Sequence, residues 1–202
     1  MTKTRKLNLF DRTFFLTSVA IFIVIAVFDY SNKSQWFWDS LVAFGGLLLA
    51  YDLYKYRKIT LPTTFLLVLH LILHTMNLYG VEMLKTGYKF DTVIHAFGGF
   101  MGAVVFFQLI KNNLSGKYFK TAIFTITILA VLGAGAIVEI VEYGGKVFLG
   151  EGDGLFFYGL GDYGDWGNAI QDMVFNGIGA LFFIAIIMMD NGEFYKKIFE
   201  HE

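Results

Sequence analysis

The chain has 202 residues, 56% hydrophobic and only 16% charged, with a mean hydropathy of +0.58, which excludes an ordinary soluble domain and points to the membrane class. It has no cysteine, so disulfides and thiolate chemistry are excluded. Its formal net charge is −1 and its basic residues are scattered through short connections, which excludes a nucleic-acid footprint.

A helix that crosses the ~30 Å hydrocarbon core needs about 20 mostly apolar residues. The sequence predicts six such spans, at about 13–29, 37–54, 61–79, 91–110, 120–143 and 168–189. The first follows a basic N-terminus and runs into DYSNKSQWFW, a poor cleavage site, so a retained span is expected rather than a signal peptide. A lone proline, Pro62, and the lack of a Ser/Pro-rich tract predict a single membrane domain over residues 1–202. Basic residues cluster at the N-terminus (Lys3, Arg5, Lys6, Arg12), after span two (Lys55, Arg57, Lys58) and after span four (Lys111, Lys117, Lys120). The alternate connections hold Lys33, then Glu82 with Lys85 and Lys89, then the acidic, Gly-rich segment 144–167 with Glu151, Asp153, Asp162 and Asp165. The positive-inside rule then gives an all-α, multi-pass bundle with both termini cytoplasmic. Trp36, Trp38 and Trp166 fall at the outer interface, as an aromatic belt requires.

Ionisable residues inside spans are costly and ordinarily face the bundle interior. In span three, His70, His74 and Asn77 share one helical face; in span four Asp91 and His95 do, followed by Gly98 and Gly102. Span five ends with Gly135, Glu139 and Glu142, and span six opens with Asp165, Asn168, Asp172 and Asn176 at i, i+3, i+7 and i+11. Spans three and five run outward and carry these residues late; spans four and six run inward and carry them early. All four sets therefore belong to the outer half of the bilayer, with His95 and Asp172 roughly one turn below the surface at ~1.5 Å per residue.

Two readings of this layer stay open. His70, His74 and His95 with Asp91 supply donors for a divalent ion, Zn²⁺ on the imidazoles or Mn²⁺ and Mg²⁺ towards the acids. The same groups can instead form a hydrogen-bonded web that satisfies each buried polar atom. Gly98 and Gly102 read as a small-xxx-small packing pair, and Gly177 and Gly179 as packing positions of span six. There is no EF-hand, phosphate loop or GxSxG, and the five serines are expected away from the layer.

LPTTFLLVLH, YKFDTVIHAFGG, VEIVEYGG and GDYGDWGNAIQDMVFNGIGA, in that order, resemble the YjdF-type integral membrane proteins and, more loosely, the VanZ-like family. The pattern of the resemblance is an acid and a His opening one span, a Glu closing the next, and D-x₃-N-x₂-G in the last. It falls here on Asp91 and His95, Glu139, then Asp172, Asn176 and Gly179. Where the VanZ-like pattern has a Gln after the Glu and an Arg before the last Asp, this chain has Glu142 and no Arg between 143 and 190. The looser likeness implies a role in the cell envelope. The functions to be weighed are an enzyme acting on a membrane lipid or lipid-linked envelope precursor, a proton- or cation-coupled transporter, and a non-catalytic scaffold. In the first, Glu139, Glu142, Asp165, Asp172 and Asn176 carry acid–base chemistry beside the histidines.

Overall fold

The computed structural model describes residues 4–34, 36–78, 90–111, 119–149 and 164–189, with Glu193, Lys196 and Lys197. Within them the regular elements are all helices: α1 (Leu9–Ser31), α2 (Phe37–Lys55), α3 (Leu61–Leu78), α4 (Phe90–Lys111), α5 (Phe119–Leu149) and α6 (Gly164–Met189). The helix cores fall where the apolar runs predict, and the ends differ. α1 starts early because Asn8 and Asp11 form a reciprocal capping box at 2.8 and 3.0 Å. α5 runs through Gly144 and Gly145 to Leu149, and α6 starts at Gly164. Two glycines cost a helix about 1 kcal/mol each relative to alanine, and here they do not end it. Part of the segment expected as an external loop, 144–149 and 164–167, is therefore helix; residues 150–163 lie outside the described residues.

Among the described residues, four stretches are long and apolar enough to cross a membrane: Leu9–Ser31, Thr92–Lys111, Thr121–Gly145 and Ala169–Met189. α3 contributes a shorter apolar stretch, Leu61–Thr75, and α2, a continuous helix, carries Asp39 and Asp52 near its two ends. The surface is inverted relative to a protein in water. Leu16, Leu129, Ile137, Ile140 and Phe182 are all more than 60% exposed, whereas Asp29, Asp39, Glu139, Glu142 and Asp172 are all 8% exposed or less. That distribution places hydrocarbon outside and acids inside, as a bilayer solvent demands.

Two packed groups make up the bundle. In one, Phe15, Phe22, Leu47, Tyr54 and Val68 join α1, α2 and α3; in the other, Val104, Phe107, Ile123, Phe183 and Ile187 join α4, α5 and α6. α3 packs against α4 and so links the groups. α1 and α2 are fastened at both ends: Tyr54 Oη donates to Asp11 Oδ1 at 2.9 Å, and Ser40 Oγ donates to Asp29 Oδ2 at the other. Arg5 lies over the Tyr54 ring, 4.2 Å from its centre. Gln108, buried late in α4, serves the start of α3. Its Oε1 accepts from Thr60 N at 3.1 Å, and its Nε2 donates to Thr63 Oγ1 at 2.6 Å.

The closest helix crossing is α4 on α6, and the glycines that permit it are Gly99 and Gly179. A Cβ at Gly99 would overlap the Asn176 carbonyl, and one at Gly179 would overlap the Ala96 carbonyl. The expected pair, Gly98 and Gly102, faces side chains instead: His70 and Asn176 in the first case, Val131 in the second. The backbone contact lies one position along the helix, about 100° away, because α6 approaches α4 from a different side than α3 and α5.

Candidate functional site

On α3, the i, i+4 spacing places His70 and His74 on one face, with ring centres 6.3 Å apart and planes tilted by 35°. The His70 ring also meets Phe97 edge-on at 5.8 Å. It lies so close to α4 that a Cβ at Gly98 would stand 2.9 Å from its Cε1. Glycine there is thus what lets the imidazole reach the helix. His70 Nδ1 is buried and has no hydrogen-bond partner among the described residues.

One turn earlier on α4, His95 points at α6. Its Nε2 is 3.5 Å from Asp172 Oδ1, with the imidazole 21% exposed and the carboxylate 2%. This is ion-pair range, longer than the roughly 2.9 Å of a formed N–H···O bond. Next to Asp172, Gln171 Nε2 donates to Thr92 Oγ1 at 3.1 Å, a second tie between α4 and α6 at this level. Asn176, one turn along α6, lies between α4 and α5: its Oδ1 is 3.7 Å from a Cβ placed on Gly98, and its Nδ2 3.1 Å from one on Gly135.

These faces enclose a cavity of about 310 Å³. His70, His74, His95, Glu142 and Asn176 line it, each from the helix on which the sequence placed it. Glu139 and Asp172 are buried but do not line it; Asp172 stands behind His95. Three residues along a helix leave a net offset of about 60°, and the α5 wall runs through Val131, Gly135, Val138 and Glu142, so Glu139 falls just past its edge. Asp91, Asp165 and Asn168 lie on α4 and α6, but their side chains, like that of Asn77 and the whole of Asp162, fall outside the described residues. Among the described residues, no three His or carboxylate side chains stand close enough to hold a metal ion together.

Two polar lining residues, Asp39 and Thr75, were missed by sequence reasoning. Asp39, 3% exposed in the first turn of α2, joins His70 and His74 on the cavity wall. The signal was present: Asp39 opens a span that, like α4, is expected to run inward, which puts it at the level of His95. Its neighbour Ser40, expected away from the layer, is fully buried at the same end, turned towards Asp29. Towards the other end the cavity stops at Phe106 and Val131, and the packed side chains of Val104, Phe107, Ile123 and Phe183 follow.

Residues 11–191, nearly the whole chain, match the family model described as predicted membrane protein (DUF2238). The chain belongs to that family. It is the YjdF-type group, and with the apolar helices it makes this a multi-pass protein of the membrane. No curated protein and no solved structure matches the chain.

Proposed function

We propose that this DUF2238 protein is an enzyme of the outer leaflet: a single membrane domain of six spans, both termini cytoplasmic, that performs acid–base hydrolysis or transfer on a lipid or lipid-linked envelope precursor. The observation that carries the reading is the cavity, to which α2, α3, α4, α5 and α6 each contribute a polar group. The charge bias of the connections supports the orientation. The looser VanZ-like resemblance supports the envelope as the setting.

In this scheme His95 takes or gives the proton, and Asp172 behind it fixes the ring and stabilises the imidazolium. Glu142 is the second carboxyl group facing the bound molecule, and Asn176 offers an amide donor. Glu139 and Asp165 complete the acidic set as flanking groups. A transporter would need a path past Phe106 and Val131, and the described residues beyond them are tightly packed hydrocarbon.

A second reading is favoured by the buried Nδ1 of His70, a donor atom of the kind a metal takes. There His70 and His74, whose ring centres are 6.3 Å apart, would draw together with His95 and Asp91 to hold a divalent ion, Zn²⁺, Mn²⁺ or Mg²⁺.

The test of the main reading is direct. Purified protein is incubated with total lipid extract of its own membranes, and products are resolved by mass spectrometry beside a His95→Gln variant. Supporting it is a lipid product made by the wild type and reduced at least about 100-fold in the variant; identical lipid profiles would overturn it.

A further inference from the structure

The cavity is most polar at one end, with His70 and Asn176 on its wall about one turn deeper. Asp39, His74, His95 and Glu142 stand at its outer level, whereas Gly46, Leu71, Gly102, Phe106, Val131 and Ala134 form its deeper wall. From Glu142 to Val131 along α5, at ~1.5 Å per residue, it extends about 16 Å. That is roughly half of the ~30 Å hydrocarbon core, the depth of one leaflet. At about 310 Å³ it lies at the small end of ligand pockets, about 300–1,000 Å³, with room for one hydrocarbon chain and not for a two-chain lipid.

Its side wall is open. α5 packs along α4 and α6 but stands off α2 and α3, and the cavity occupies that gap. Val42, a lining residue on α2, is 38% exposed, so this wall gives onto the hydrocarbon of the bilayer rather than onto another helix. Among the described residues the charged groups at the polar end are acids: Asp39 and Glu142 line it, Asp172 and Glu139 stand behind, and no described Lys or Arg lines it. An anionic phosphate would meet like charge there, while a hydroxyl or amine would find carboxylates and imidazole nitrogens to donate to.

We infer that the cavity takes a single-chain lipid, entering sideways between α2 and α5, whose head carries hydrogen-bond donors and no negative charge. The inference names the substrate class of the acid–base site proposed above, and rests on that reading only for the step that follows binding.

The test uses the full chain in liposomes with a 1-monoacylglycerol bearing a diazirine near the end of its chain, beside the lysophosphatidic acid of equal chain length. After illumination, adducts are mapped by peptide mass spectrometry. The expected sites are Phe106, Val131 and Ala134, labelled at least 5-fold above exposed positions such as Leu129 and Ile140, and at least 5-fold better by the neutral probe. Ala134→Phe, which fills the deeper half, should reduce cavity labelling by a similar factor, and Ile137→Phe on the exposed face of α5 should not. Adducts spread evenly over the exposed belt, or equal labelling by the anionic probe, would overturn the inference. The wild-type adduct map decides this even where Ala134→Phe does not fold. Cavity labelling without any lipid product leaves this inference standing and sinks the enzyme reading; a product formed without cavity labelling does the reverse.

Discussion

Gly99→Ala adds one methyl group at the α4–α6 crossing, where it would overlap the Asn176 carbonyl and stand only 2.6 Å from the Asn176 carbonyl carbon and Cα. The obstacle is backbone, so no rotamer change relieves it, and the two helices must part. Overpacking of a dense core costs about 1–3 kcal/mol, and a rigid obstacle argues for the top of that range. Alanine regains about 1 kcal/mol of helix propensity over glycine. The net loss is about 2 kcal/mol, a factor of about 30 in the folded-to-unfolded ratio. For a chain of this size it lowers the melting temperature by about 4–8 °C. Gly133→Ala on α5 is the control: nothing lies within 4 Å of its Cβ position, so the same substitution should stabilise by about 0.5–1 kcal/mol. The assay is thermal unfolding of the detergent-purified variants, followed by tryptophan fluorescence under one buffer condition. The two alanines should move in opposite directions. A Gly99→Ala protein melting as high as Gly133→Ala would show that the α4–α6 contact is not tight, and would undo the account of how Asn176 is held.

For orientation, cysteines placed at the exposed Asn32 and Lys58, in a chain without cysteine, should divide cleanly: an impermeant thiol reagent labels position 32 in intact cells and reaches 58 only after lysis. The reverse pattern would place the His/carboxylate layer in the inner leaflet. For the metal reading, Zn²⁺ or Mn²⁺ should raise the melting temperature of the wild type and not of a His70→Ala/His74→Ala variant; a wild type without any shift leaves the hydrogen-bonded web as the better account. Gln108→Ala removes the acceptor of Thr60 N and should destabilise by about 1–3 kcal/mol. It should leave lipid turnover unchanged, since Gln108 lies beyond the cavity floor, and a selective loss of turnover would contradict that separation.

The helices were legible because a bilayer forces each crossing to be a long apolar run, and no alternative conformation satisfies the backbone there. Their ends were not, because they depend on local chemistry a hydropathy scan does not weigh, such as the Asn8–Asp11 box or a helix continued through Gly144 and Gly145. The site was legible as faces: i, i+4 spacing put His70 with His74 and aimed each helix's polar stripe inward. What periodicity could not supply was the rotation of each helix against its neighbour. That rotation decides that Glu142 rather than Glu139 meets the cavity, and that Gly99 rather than Gly98 meets the α6 backbone. Asp39 escaped for a related reason: one acid in the first turn of a span reads as an interfacial residue until α3 is seen to pack beside it.

Asp172→Asn separates chemistry from architecture, since it keeps the shape of the side chain and removes its charge. If Asp172 and His95 form a structural ion pair, breaking it strands the partner, and losing one member of a buried pair costs about 3–5 kcal/mol. If the carboxylate is there for the reaction, the protein bears the cost of burying it at 2% exposure, and the neutral amide relieves that cost. The enzyme reading therefore predicts a variant that melts at or above the wild-type temperature while lipid turnover falls about 100-fold to 10,000-fold, the usual worth of a positioned proton-transfer group. The scaffold reading predicts a melting temperature lower by more than the Gly99→Ala variant loses. Stability and turnover moving in opposite directions would assign Asp172 to the reaction, and a large loss of stability with turnover retained by the folded fraction would assign it to the packing.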